Sequence, residues 1–276
     1  MKSHYECGWA ASAPDSAAMR HIILEEPYSR AAVWSRRLAG FSIAVMLISI
    51  LLARSQIVDA GAALAVFGAA IVVALAALLA ALAGAAVIWS KGWKGTGLVL
   101  AGVALAALVL AEPAWLTAQA VRLPTLNDVS TDLNDPPDFS RSRQAIAARG
   151  NFDHPPISPE TREAQRAAYT NIQPIVLDLE IEDAWPLVQK AVAARKWRVV
   201  EEVRPGGRVA VGHIDAIART LVMGFADDVA IRVRPLAAQT RIDVRSASRL
   251  GRHDFGANAK RIQTFSDELQ AQLDAR

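Results

Sequence analysis

Residues 229–247 read Val229-Ala230-Ile231-Arg232-Val233-Arg234-Pro235-Leu236-Ala237-Ala238-Gln239-Thr240-Arg241-Ile242-Asp243-Val244-Arg245-Ser246-Ala247, with two runs, 229–233 and 241–247, in which apolar and charged side chains alternate. Successive residues of a strand point to opposite faces, so Val229, Ile231 and Val233 share one face while Arg232 and Arg234 share the other. In the second run Ile242 and Val244 oppose Arg241, Asp243 and Arg245. The pair predicts a hairpin with one apolar and one arginine-rich face. An apolar sheet face needs a cover, and residues 257–275 supply one: Ile262, Phe265, Leu269 and Leu273 recur at the three- and four-residue spacing of an amphipathic helix.

Upstream, 175–179 is strand-like. Residues 182–196 form a helix with Trp185, Val188, Val192 and Ala193 along one face, and 197–203 is again a strand. Arg204-Pro205-Gly206-Gly207 signals a turn, and 209–213 and 220–225 are further short apolar runs before the hairpin. The order taken is β-α-β-β-β-β-α, one strand fewer than there are runs. Ser158-Pro159-Glu160-Thr161 offers an N-cap with proline at the first helical position, starting a short polar helix to about Tyr169. Residues 123–139, rich in Asp, Asn, Ser and Pro, have no period and read as an extended connector.

The first 124 residues are of another kind. The whole chain is 53% hydrophobic, 21% charged and has a mean hydropathy of +0.22, too apolar for an ordinary soluble protein. Charge-free runs at 38–53, 60–90 and 95–111 predict three membrane spans. The first is short, and Arg37 and Arg54 extend it by snorkelling. The second is over-long and is expected to hold one tilted helix from near Leu64. Trp34, Trp89, Trp93 and Trp115 fall at the expected boundaries. Arg30, Arg36, Arg37, Lys91 and Lys94 lie at one side of these spans, against Arg54 and Arg122 at the other. The positive-inside rule then places the N-terminus in the cytoplasm and, after three crossings, the C-terminal domain in the periplasm of a bacterium. The single cysteine, Cys7, excludes an internal disulfide and is expected in the reducing compartment. Ala80 and Gly84 have the small-xxx-small spacing that allows close helix packing, within one chain or between copies. Lys91-Gly92-Trp93-Lys94-Gly95-Thr96-Gly97 has the wrong order for a phosphate loop and reads as a tight interhelical turn.

The expected organisation is a cytoplasmic segment 1–37, a membrane region 38–121, a connector 122–158 and an exported domain 159–276. The fold class is α+β: three N-terminal transmembrane helices, then an antiparallel sheet covered by a C-terminal helix in a helix-grip-like layout.

Two segments are more specific: Thr220-Leu221-Val222-Met223-Gly224-Phe225-Ala226-Asp227-Asp228-Val229-Ala230-Ile231-Arg232-Val233, and Asp243-Val244-Arg245-Ser246-Ala247-Ser248-Arg249-Leu250-Gly251-Arg252-His253-Asp254-Phe255-Gly256-Ala257-Asn258-Ala259-Lys260-Arg261-Ile262. Together with Asn127-Asp128-Val129-Ser130-Thr131-Asp132 and Asp135-Pro136-Pro137, they resemble the family called domain of unknown function 1499, over roughly residues 124–273. Three spans before the domain are similar to its common bacterial membrane form. The family has no established activity, so the resemblance implies a fold and a place and no reaction.

Chemistry is read from the residues themselves. Residues 208–261 hold ten Lys and Arg against five Asp and Glu, a local excess in an otherwise neutral half. That neutral half argues against nucleic acid as a partner. Arginine grips carboxylate and phosphate bidentately, so an anionic ligand, a lipid headgroup or an acidic envelope protein fits such a surface. The alternative is internal pairing, with Arg232 or Arg234 on Asp243, and Asp227, Asp228 and Asp254 neutralising Arg245, Arg249 and Arg252. Asp227, Asp228, Arg245, Ser248, Arg249, Asp254, Asn258 and Arg261 are the candidate ligand-contacting residues. Arg245, Arg249 and Arg261 are expected to meet Asp227, Asp228 and Asn258 in one polar centre.

Catalytic signals are thin. His154, His213 and His253 lack the spacing of a metal motif, no nucleophile elbow is present, and Ser246 or Ser248 has only His253 as a nearby base. No metal, cofactor or catalytic set is expected. The function read from the sequence is a non-catalytic binding or assembly module of the cell envelope. An envelope hydrolase using Asp227, Asp228 and residues 246–254, and a carrier of lipid or another hydrophobic ligand, stand as alternatives.

Overall fold

The computed structural model describes residues 26–206 and 209–275; Cys7, Gly207 and Arg208 lie outside them. Three helices, α1 (Arg30–Ser55), α2 (Ala60–Lys91) and α3 (Thr96–Arg122), are each long and apolar enough to cross a membrane. The first two begin at side-chain caps. Ser29 accepts from Ala32 N, and Asp59 accepts from Ala62 N at 2.9 Å. The Asp59 cap starts α2 at Ala60, four residues earlier than Leu64, because a capped first turn needs no apolar side chain. Its 32 residues span about 48 Å, well beyond the hydrocarbon thickness.

Small residues bring the helices together. Ala32, Ser35, Ala39, Ser42, Ser49 and Ala53 are buried on α1, at three- and four-residue steps with one of seven, and Ala70, Ala74, Ala77, Ala81 and Gly84 on α2, at alternating four- and three-residue steps. That spacing keeps one seam facing the partner helix. A Cβ at Gly84 would lie 2.8 Å from Ala32 N, so only glycine permits the approach. Ala80, expected on this seam with Gly84, is only half-buried; the stripe runs through Ala81.

The second half is an α+β domain: β1 (Asp128–Ser130), α4 (Arg143–Ala148), α5 (Pro159–Ala168), β2 (Ile175–Leu177), α6 (Ile181–Ala194), β3 (Arg198–Val203), β4 (Gly212–Arg219), β5 (Ala226–Leu236), β6 (Gln239–Ser248) and α7 (Ala257–Asp274). From β2 onward the order is β-α-β-β-β-β-α. The antiparallel six-stranded sheet runs β1-β6-β5-β4-β3, with β2 also on β6. Strands β1 and β2 share the outer edge of β6: Val129 stands opposite Ser246, and Ile175 opposite Ile242. Helices α6 and α7 cover one face through Trp185, Val188, Ile262, Phe265 and Leu269, against Ile214, Val229, Ile231, Val233, Ile242 and Val244. Trp197 stacks on Phe265 at 5.4 Å.

Three local expectations change. Residues 220–225 are the β4–β5 turn, closed by Thr220 N donating to Phe225 O and by Gly224 at φ 71°. The run is apolar because it packs on the helices, not because it is a strand. The strand expected at 209–213 is shifted to β4, whose buried Asp215 interrupts the apolar pattern. Finally, the segment read as a connector belongs to the domain. It supplies β1 and α4, and it lies over the arginine-rich face of the sheet: Phe139 packs with Ala230 and Ala247, and Ala145 with Val200 and Ile217.

Candidate functional site

Period-two geometry sends Asp227 and Asp228, neighbours on β5, to opposite faces of the sheet. The single polar centre expected from the sequence is therefore two clusters with the sheet between them.

The cluster under α7 contains Asp227, Ser246, Ser248, Asp254, Asn258 and Arg261. Asp254 caps the helix, accepting from Gly256 N at 2.9 Å and from Asn258 N at 2.8 Å. This cap aims Asn258 back at the last strand. There its Oδ1 accepts from Ser246 Oγ at 2.8 Å, and its Nδ2 donates to Ser248 Oγ at 3.0 Å and to Asn127 O at 3.1 Å. Arg261, one turn on, donates to Ser246 Oγ, to Asn258 Oδ1 and to Asp227. Burial pushes the Asp227 carboxyl above its ordinary range despite the Arg261 charge. Burial, and secondarily the Asp254 charge, push the nearby Tyr169 phenol up.

The cluster on the other face contains Asp228, Arg245 and Arg249. Arg249 grips Asp228 bidentately at 2.9 and 2.7 Å, and His154 Nε2 lies 2.8 Å from the same carboxylate. Burial alone would raise Asp228; the hydrogen bonds and charges of His154 and Arg249 outweigh it and hold the carboxyl low. Arg245 pairs with neither Asp227 nor Asp228. Its partners are Asp128 at 2.7 Å and the carbonyls of Pro137 and Pro155, with its guanidinium 4.9 Å from the Phe139 ring centroid. Alongside, Arg232, Arg234 and Arg241 converge on Asp243 and Asp132, with Asp135 added for the first two. Arg149 pairs with buried Asp215 at 3.0 Å, and Ser140 and Ser142 both donate to Glu201. Those two hydroxyls hold Glu201 low. Asp132 is held low too, since the amides of Asp135 and Asn134 and the charges of Arg241 and Arg232 overcome its burial.

The sequence reading missed the partners contributed by residues 128–154: Asp128, Asp132, Asp135, Phe139, Arg149 and His154. One signal was there. Residues 127–138 hold Asp128, Asp132, Asp135 and Asp138 with no Lys or Arg, the charge complement of the arginine-rich hairpin face.

The chemistry open to this arrangement is limited. Ser246 and Ser248 hydrogen-bond to Asn258, and His253 stacks on Phe255 while its Nδ1 accepts from Phe255 N at 3.0 Å. Among the described residues no three His, Cys, Asp or Glu side chains are placed to hold a metal ion. Between sheet and α7, where a carrier would need a cavity, Ile262, Phe265 and Leu269 are buried against the strands.

No curated protein matches the sequence. A family model does, over residues 128–269, starting at the first residue of β1 and ending within α7. The strap formed by residues 128–158 over the arginine-rich face, the sheet and most of the closing helix lie inside the matched span, and the chain belongs to the family described as Protein of unknown function (DUF1499).

Proposed function

We propose that this is a multi-pass protein of the bacterial inner membrane, with its N-terminus in the cytoplasm, whose periplasmic domain is a non-catalytic binding or assembly module of the cell envelope. The observation that carries the reading is the ion-pair lattice over the sheet. It ties residues 128–158 to the sheet through Asp128, Asp132, Arg149 and His154, and Asp228 pairs with Arg249 there while Asp227 pairs with Arg261 on the other face, so both carboxylates a hydrolase would use have arginine partners. Breaking one partner of such a buried pair strands the other charge, which makes the set a structural unit. The placement in the membrane is supported by charge: Ser29 N bonds Lys94 O at 3.0 Å, so Arg30, Lys91 and Lys94 gather at one end of the bundle, while the domain follows Arg122 at the other.

The test is an activity screen. The detergent-purified full chain is assayed against ester, phosphoester, glycosidic and peptide substrates of the envelope, beside Asp227→Asn and Asp228→Asn. No turnover dependent on either carboxylate is expected. Turnover abolished in a variant that keeps the parent's circular dichroism overturns the reading in favour of the hydrolase.

A further inference from the structure

Among the arginines outside the lattice, Arg54 and Arg219 lie where the β4–β5 turn of the domain meets the helices. Arg54, in the last turn of α1, donates from Nη1 to the carbonyls of Leu221 and Val222, at 2.7 and 3.1 Å. Arg219, at the end of β4, donates to Gly224 O at 2.9 Å and to Gln56 Oε1 at 2.9 Å. All four acceptors are neutral. Among the described residues neither guanidinium has a carboxylate partner, whereas Arg232, Arg234, Arg241, Arg245, Arg249 and Arg261 all do. Each guanidinium carries five N–H groups, so both keep donors to spare.

The level of these charges is set by the neighbouring apolar residues. Arg54 directly follows the charge-free run 38–53, which puts it at the edge of the hydrocarbon. The β4–β5 turn reaches down to the same place, with Val222, Met223 and Phe225 packed in a cluster with Ala53, Phe67 and Ile50. Leu221 at the tip is 91% exposed and Ile57 beside the helix end 81%, an apolar rim that water does not favour. Between the turn, the α1–α2 loop and residue 249 lies a cavity of about 210 Å³, lined by Ala53, Gln56, Val58, Phe225, Arg249 and Leu250. Its walls are apolar toward the helices and polar at Arg249, which is paired with Asp228, and at Gln56, which holds Arg219.

We infer that this junction seats an anionic phospholipid of the leaflet facing the domain. Its phosphate meets Arg54 and Arg219, and the start of an acyl chain lies along the Val58 and Phe225 wall. Two uncompensated cations favour a headgroup of net negative charge over a zwitterionic one, whose ammonium they repel. The inference rests on the reading that α1–α3 span the bilayer.

The experiment is native mass spectrometry of the full chain in detergent, titrated with phosphatidylglycerol, phosphatidylcholine or inorganic phosphate. The expected result is a phosphatidylglycerol adduct retained over phosphatidylcholine, falling roughly fivefold in Arg219→Gln, the size of one arginine's attraction to an anionic headgroup. Arg219→Lys should keep most of it, and Arg37→Gln at the far end of α1 all of it. Arg54→Gln serves as a second variant, compared at matched melting temperature. Equal retention in Arg219→Gln and parent, or equal loss in Arg37→Gln, overturns the site. Displacement of the lipid by millimolar phosphate overturns the lipid as its occupant. The adduct does not depend on which compartment holds the domain, so an inverted topology changes the leaflet and leaves this result standing.

Discussion

Asp227 and Asp228 adjoin on β5, are both buried, and are both paired with an arginine, yet their carboxyls move in opposite directions. Asp228 has Arg249 across two hydrogen bonds and His154 as a third partner, and together these outweigh desolvation. Asp227 has Arg261, but Arg261 also serves Ser246 and Asn258, and desolvation wins. The stability consequences are opposite in sign. A depressed folded pKa means that Asp228 contributes fully above its unfolded value of about 3.9 and loses that contribution as pH falls through the lower folded value. A raised folded pKa means that Asp227 favours the fold below about pH 3.9 and loses that as pH rises through its higher folded value. At pH 7, therefore, Asp228→Asn should cost about 3 kcal/mol, the size of breaking a buried pair, and Asp227→Asn distinctly less. Denaturant melts of the two variants from pH 3 to pH 8 check this; equal costs at pH 7 would show that the two carboxyls are held alike.

At the scale of elements, the α1–α2 seam depends on the absence of side chains. A Cβ at Gly84 meets the backbone of Ala32, which cannot rotate away, whereas a Cβ at Gly68 on the same helix has nothing within 4 Å. Gly84→Val should therefore force the helices apart at a cost of about 1–3 kcal/mol, the usual range for overpacking. Gly68→Val should leave the melting temperature in detergent unchanged, apart from its effect on helix propensity. Parallel thermal melts decide between them, and equal shifts would mean that the seam is not where the structure puts it. The strap is held in another way, by Gln165 of α5, whose amide donates to Ser130 O at 2.7 Å and accepts from Ser130 N at 3.1 Å. That buried pair of bonds fixes β1 on its outer side while β6 pairs with it on the inner.

For the molecule as a whole, the domain docks on the helices through the β4–β5 turn and follows α3 at the same end. In the proposed arrangement its side of the membrane follows from the direction of three crossings. Reporter fusions after residue 276 should report the periplasm, and fusions in the 91–94 loop the cytoplasm. A cytoplasmic signal at residue 276 would reverse the orientation drawn from the charges. Exchanging the positive ends, by Lys91→Glu and Lys94→Glu with added lysines beside Arg54, should weaken the bias measurably.

What the sequence determined by itself is what local period and composition encode. Spans come from apolar length, the two faces of β5 and β6 from alternation, and α7 from its stripe at Ile262, Phe265 and Leu269. The split of Asp227 from Asp228 was legible in the same way. The partners were not. Arg245 and Asp128 are 117 positions apart, and Arg241 and Asp132 are 109 apart. No periodicity links such residues; they meet because β1 pairs with the edge of β6 and carries the acidic strap across the arginine-rich face. The run 220–225 shows the same limit, since apolar residues look alike whether they pack in a strand or against a membrane helix. Local physics sets which side of an element a residue faces, and only the closed topology sets what stands opposite it.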